Sequence, residues 1–423
     1  MRFRRKPALT AREIWILIGI GAAALALANT LIGADILLSR ALPGGGSFLA
    51  AWAGSRAILW QHANPYAEPV VGLTQQLTYG RPAAQGENPY ILTVPFFLLP
   101  LYFPFALTAT ASVARGIWIC LNQVALVGTA FLSLRMIDWR PPRSFLLLYA
   151  VLGVFGLYSV MAQLEGVPAI LLGLLYVGVL SAYAGEREEL AGALLALCLF
   201  DWEVGAPFIV LILLSVFHER RWNVLAGAAM AVIVLGAISF LVFPGWLLPF
   251  LAATLAALRA SFGLSTAAAL EHIFPDQGVL AAQILMGFLI ILLIYEWATG
   301  RDGGFRRLVW TSCLALAVTP LLGFRTELSN LAVLLPGAAL IGASSMERRR
   351  HGGLLAGMFL AFALVVPWYL FGRWVAAGDE ASHAALLLVY PAMTIVGLYW
   401  TRWWFIHPQQ TWVDQIRSTR TSG

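Results

Sequence analysis

Residues 43–100 read PGGGSFLAAWAGSRAILWQHANPYAEPVVGLTQQLTYGRPAAQGENPYILTVPFFLLP. This stretch decides the reading of the chain, because it is the one long segment that is neither a clean apolar span nor a short connector. It holds a glycine run at 44–46, an aromatic helical stretch rich in small residues, and two Asn-Pro-Tyr tripeptides, Asn64–Tyr66 and Asn88–Tyr90. Long apolar runs flank it on both sides. It therefore reads as a structured loop held at one face of a hydrophobic scaffold.

The scaffold follows from composition. Of 423 residues, 60% are hydrophobic and 11% charged, whereas soluble domains carry about 25% charged residues. So apolar a chain cannot cover itself with polar surface, and lipid is its solvent. At about 20 residues per helical span, the length allows roughly ten to twelve spans and one sizeable loop. The fold class expected is an all-α polytopic integral membrane protein. The net charge of +6 is no nucleic-acid signal, since the arginines sit in short loops between spans, where they set orientation. Cys120, Cys198 and Cys313 lie inside apolar runs without metal-ligand spacing and read as small core residues. Neither a metal nor another cofactor is expected.

The apolar run after the basic residues Met1–Lys6 is longer than a signal-peptide core, so Ile14–Leu38 reads as a first membrane helix behind a cytoplasmic segment at 1–13. Residues 39–113 are then extracytoplasmic. Within them Ser47–Gln61 reads as an interfacial helix, with Phe48, Trp52 and Leu59 as its membrane stripe. Tyr90–Ala106 is apolar but broken by Pro95, Pro100 and Pro104, and reads as re-entrant or lying along the interface. Spans follow at Gly116–Ile137, Ser144–Ala162 and Gly166–Tyr183, then a shorter pair, Leu190–Phe200 and Gly205–Phe217, and Val224–Phe243. A second outer loop at 244–277, with two short helices, precedes spans at Val279–Trp297, Leu308–Leu322, Leu331–Ala343, Leu354–Val375 and Ala384–Trp400. Residues 401–423 return to the cytoplasm. With both ends inside, most of the 27 Lys and Arg fall on the cytoplasmic side; the inverted arrangement would put Arg306-Arg307 and Arg348-Arg349-Arg350 outside, against the positive-inside rule. No internal repeat suggests the matched halves of a transporter.

In this topology polar groups gather at the outer ends of the spans. Gln163 and Glu165 share one turn, Asp201 and Glu203 the next, and Arg325, Thr326, Glu327 and Asn330 a third. Asp35 lies near the outer end of the first span, and Glu271, His272 and Asp276 lie in the second outer loop. Ionisable groups at such depth face a cavity or a partner. Transfer from a lipid-linked donor fits them. It needs a carboxylate as base towards an acceptor hydroxyl, a cation for the leaving phosphate, and a groove open to the bilayer. Asp201, Glu203, Glu165 and Asp35 are the candidate bases, and Arg325 is the candidate phosphate contact. The blander reading of each is a solvated loop charge or a helix cap.

Gly45–Arg56 (GGSFLAAWAGSR), followed by Asn64-Pro65-Tyr66, resembles glycosyltransferase family 87, the polyprenyl-phosphate-mannose-type hexosyltransferases of the GT-C superfamily. The Pro-rich run from Tyr90 to Pro104 is similar to the family's Tyr-Pro-Pro segment. Ala162-Gln163 resembles a Gly-Gln at a span start. Arg325-Thr326 with Asn330, before Leu331–Pro336 (LAVLLP), is similar to a late family motif. The resemblance covers roughly residues 14–343. It implies a GT-C-like fold and a polyprenyl-phosphate-linked sugar as partner, with Arg325, Thr326, Asn330, Gln163, Arg56, Asn64 and Tyr66 as substrate-binding positions; His272 of the second outer loop is a further substrate-binding candidate, from its place in the topology. It also exposes two departures: Ser47 stands where the family has its expected catalytic Asp, and acidic Asp201–Glu203 stands near a basic family turn.

The expected function is thus transfer of a mannose-like hexose from a polyprenyl-phosphate donor to an extracytoplasmic acceptor, in the cell membrane. The alternative is an inactive relative that binds lipid-linked sugar or scaffolds a partner, with a transporter or flippase third.

Overall fold

The computed structural model describes residues 27–260, 262–301, 303–348 and 351–407. The expected cytoplasmic segment 1–13, the first part of the first span and residues 408–423 lie outside them. The described residues form an all-α polytopic membrane protein with one isolated backbone bridge, Leu264 with Thr326. Among the described residues, seven helical stretches are long and apolar enough to cross a membrane, with shorter apolar helices at Ala169–Ala184 and Leu247–Ala260.

The helices start and stop where local chemistry dictates. The helix at 27–41 (α1) leads to glycines 44 and 45, which take φ of 113° and 84° and turn the chain sharply into α2 (Gly46–Gln61). Three glycines stand here because there is no room for side chains: a Cβ on Gly45 would lie 2.6 Å from Arg115 Nε, and one on Gly46 would lie 2.2 Å from the Tyr90 ring. Helix α3 (Glu68–Tyr79) follows, with proline in its first turn. After the short α4 (Phe103–Ala106), the Thr110 hydroxyl accepts from the Val113 amide and caps α5 (Ala111–Met136).

Helix α2 corrects the sequence reading. Phe48 is fully buried and Trp52 is 5% exposed, so the aromatic stripe faces the protein core and not the bilayer interface. Phe48 stacks on Trp118 of α5 with ring centroids 5.0 Å apart. Apolar and small residues lie all round α2 and not in one stripe, and a helix of that kind is covered by protein.

The proline-broken run behaves as its backbone requires. Leu92, Phe96, Leu98, Leu99 and Tyr102 are buried against the core, so the irregular chain is enclosed by protein, the one setting in which membrane depth tolerates it. Side chains from α2 and its flank satisfy the freed carbonyls. Trp52 Nε1 donates to Phe105 O at 3.0 Å, Arg56 to Thr108 O at 2.9 Å, and the Tyr66 hydroxyl to Val94 O at 2.8 Å.

Helices α6 (Arg143–Phe155) and α7 (Leu157–Glu165) form one span bent at Gly156, then α8 (Ala169–Ala184) returns. Helices α9 (Glu188–Leu197) and α10 (Trp202–Glu219) meet through a 3-10 turn at Cys198–Asp201. Helix α11 (Trp222–Val242) crosses α9 backbone to backbone: a Cβ on Gly192 would lie 1.9 Å from Val224 O, and one on Gly227 would lie 2.3 Å from Glu189 O. Small residues let membrane helices pack backbone to backbone. Gly192→Val is therefore expected to force the pair apart and to lower the thermal-unfolding midpoint in detergent, whereas Gly236→Val, with open space around its Cβ, leaves the midpoint near wild type.

The loop at 244–277 carries two short helices as expected, α12 (Leu247–Ala260) and α13 (Thr266–Ile273). The chain then runs through α14 (Gly278–Gly300), α15 (Gly304–Val318), a 3-10 segment (Leu328–Leu334) continuing into α16 (Leu335–Arg348), α17 (Gly352–Ala377) and α18 (Glu380–Ile406). The stretch Leu328–Met346 is the central span, 94% of its apolar window being buried, while α11 is peripheral at 11%.

Candidate functional site

A cavity of 470 Å³ opens at the end of the bundle where α7 meets α8, α9 meets α10 and α15 leads into the 3-10 segment. Its lining brings together four sequence-distant pieces: Ser47 at the start of α2, Asn88–Pro95, Asp201 and Glu203, and Gly323–Glu327 with Asn330. Helix α12 forms the remaining wall through Phe250, Thr254, Ala257 and Leu258. The far side of α12 is apolar and uncovered, Leu248 being 77% and Leu255 53% exposed. The cavity thus has a carboxylate wall and an apolar wall one helix thick.

Asp201 sits at the junction of the 3-10 turn and α10. It is partly accessible because it faces the cavity, yet protein surrounds it. Burial, and secondarily the Glu203 charge, push its carboxyl up to about 7, with the Glu203 and Val204 amides pulling the other way. Glu327 accepts from Asn88 Nδ2 at 2.6 Å and from Ser329 Oγ at 3.4 Å. Its carboxyl also hydrogen-bonds that of Glu165, at the end of α7. Burial first, then the Glu165 and Asp201 charges, hold Glu327 well above the usual carboxylate range.

Arg325 stands exposed at the rim, its guanidinium 3.5 Å from Gly263 O. The bridge between Leu264 and Thr326, with N···O distances of 3.1 and 3.2 Å, ties this turn to the loop after α12. Asn330 Nδ2 donates to Thr326 Oγ1 at 3.2 Å.

Of the positions singled out by sequence, Ser47, Asp201, Glu203, Arg325, Thr326 and Asn330 line this cavity, and Glu165 touches it through Glu327. The others do not reach it. Asp35 is buried on α1, where it accepts from Gln123 Nε2 at 3.1 Å. Arg56 and Tyr66 hold carbonyls of the proline-broken run, and Asn64 closes an Asx turn onto the Tyr66 amide at 3.0 Å. Gln163 is buried and donates to Ser159 O within its own helix. His272 is exposed on α13.

The structure adds Glu327, Asn88 and Tyr90 to the site. Sequence placed Glu327 among the polar groups of its turn without a role, and the second Asn-Pro-Tyr tripeptide carried Asn88 and Tyr90. Among the described residues no three His, Cys, Asp or Glu side chains converge as metal ligands.

No protein-family model matches the chain, and no curated protein or solved structure shows a significant similarity to it.

Proposed function

We propose that the chain is a membrane glycosyltransferase of GT-C-like design that takes a sugar from a polyprenyl-phosphate donor. One observation carries the reading: Ser47, Asp201, Glu203, Glu327 and Arg325 converge on one cavity that is also lined by the apolar helix α12, whose far side is uncovered. The polyprenyl chain lies along α12, the phosphate meets Arg325 at the rim, and the sugar enters among the carboxylates. Asp201 takes the proton of the acceptor hydroxyl. The hydroxyl oxygen bonds the anomeric carbon, the bond from that carbon to the phosphate oxygen breaks, and its electron pair leaves with polyprenyl phosphate, inverting the centre. Asp201 suits this role because its carboxyl is pushed up to about 7, close to the pH at which it must accept a proton.

Helix order supports an extracytoplasmic cavity. Arg135, Arg143, Arg187, Arg220, Arg306 and Arg307 all fall at the ends of α5, α6, α9, α10 and α15 remote from it, where the positive-inside rule puts the cytoplasm.

A second reading is favoured by Ser47, which lines the cavity where the resembling family carries its carboxylate: a protein that binds lipid-linked sugar without transferring it. Turnover of labelled polyprenyl-phosphate hexose by the purified protein decides between them. Transfer or hydrolysis by the wild type establishes the enzyme. A silent wild type, with activity gained by Ser47→Asp, establishes the inactive binder. Silence of both, with no donor bound, overturns both readings.

A further inference from the structure

We infer that the sugar taken by this cavity carries a protonated amine, and that Glu327 with its partner Glu165 receives it. The inference rests on the proposed reading of the cavity as a lipid-linked sugar site and specifies the class of sugar.

The first observation is the charge of the lining. Asp201, Glu203 and Glu327 face the cavity and Glu165 is in contact with Glu327, against Arg325 as the one cation among the described lining residues. A phosphate at the rim occupies the positive charge of Arg325, leaving the carboxylates to the group attached to that phosphate. Arg325 and Glu327 belong to one turn, so the sugar bonded to the phosphate lies against Glu327.

The second observation is a deficit of donors. Asn330 Oδ1 is buried without a hydrogen-bond donor, and the Glu165 carboxyl meets only the Ser329 hydroxyl and the Glu327 carboxyl. Glu327 is held by Asn88 Nδ2 and Ser329 Oγ, both neutral. Two carboxyls in contact cannot both ionise away from water, so the empty pair retains a proton. A neutral sugar hydroxyl donates one hydrogen bond and leaves the charge uncompensated. An ammonium donates three and neutralises one carboxylate, displacing the shared proton. A divalent cation is the other way to satisfy such a wall, but the carboxylates do not converge as ligands; they are spread along the wall, as contacts to an extended polar ligand are.

The test is equilibrium binding to the purified wild type at neutral pH. The probes are short-chain prenyl-phosphate hexose, its amino counterparts with one hydroxyl at a time replaced by an amine, and their N-acetyl derivatives. At least one amino donor should bind about tenfold tighter than the hexose donor, and its N-acetyl derivative should lose that advantage. Calorimetry in buffers of differing ionisation enthalpy should show a proton released on binding the amino donor. Glu327→Gln should shrink the ratio of amino to hexose affinity. If hexose and amino donors bind alike, or the amino donors bind more weakly, the charge inference fails while the lipid-linked sugar reading stands. If no donor binds, that reading fails and the inference with it.

Discussion

Asp201→Asn should lower the rate of sugar transfer by about a thousandfold, the range expected for loss of a positioned general base, and should do so without weakening the fold. Both halves follow from the same environment. The carboxyl is pushed up to about 7, so it is protonated in the folded protein over the interval in which an ordinary aspartate, with a pKa of about 4, is already ionised when unfolded. Between those two values the unfolded state binds fewer protons than the native state, so stability falls as pH rises, the reverse of a salt-bridged aspartate. Above about 7 the native carboxylate is charged and enclosed, and the penalty is complete. Asparagine never ionises and escapes it. The variant should therefore unfold at a higher temperature than wild type at pH 8, and the difference should shrink towards pH 4. Wild-type turnover should rise with pH through about 7, falling tenfold per unit below it, because the base acts only when deprotonated. An Asp201→Asn protein that keeps wild-type turnover removes Asp201 from the chemistry. One that loses both turnover and stability shows that the residue is structural.

The contrast between Asp201 and Asp35 shows what sequence made legible. Both are acids near the end of an apolar run, and residue type and depth marked both as candidates. Only Asp201 sits where two short helices break, so its side chain points into the space left between spans. Asp35 lies within a continuous helix and is answered by Gln123 of a neighbouring one. Separating them needs the packing of α1 against α5, which no local pattern encodes. The same applies to α2. That it is helical was readable, and its place in the core was not, because Phe48 and Trp52 suit a lipid interface or Trp118 equally well. Membrane class, the two-helix loop at 244–277 and the broken run around Pro95 and Pro100 were legible because each depends on composition or on proline, which act locally. The Glu165–Glu327 contact joins residues on separate spans and is a product of tertiary structure alone.

Arg115→Met should cost about 3 kcal/mol of stability, the scale for removing a buried charge that satisfies several otherwise unpaired groups. Arg115 is 3% exposed within α5, deep enough that an arginine there demands a reason. Its guanidinium donates to Leu42 O at 2.7 Å, Leu164 O at 2.8 Å, Pro43 O at 3.2 Å and Ser39 O at 3.3 Å. Those carbonyls belong to the exit of α1, the glycine turn before α2 and the last turn of α7. One planar fork thus fastens the residues just before Ser47 to the residue just before Glu165. The planar fork explains why arginine stands here. Lysine carries three donors at a single point and cannot span carbonyls on three segments; Arg115→Lys should recover only part of the loss. Gly45 completes the arrangement, since any Cβ there would strike the guanidinium and the φ of 84° disfavours other residues. Gly45→Ala should therefore reproduce the Arg115→Met phenotype from the opposite side of the contact. The two changes together should cost less than their sum, because both break the same joint. Thermal unfolding of the single and double variants in detergent measures this directly. Strict additivity would mean that the clamp and the glycine turn stabilise the protein independently, and that Arg115 does not hold the start of α2 against the end of α7.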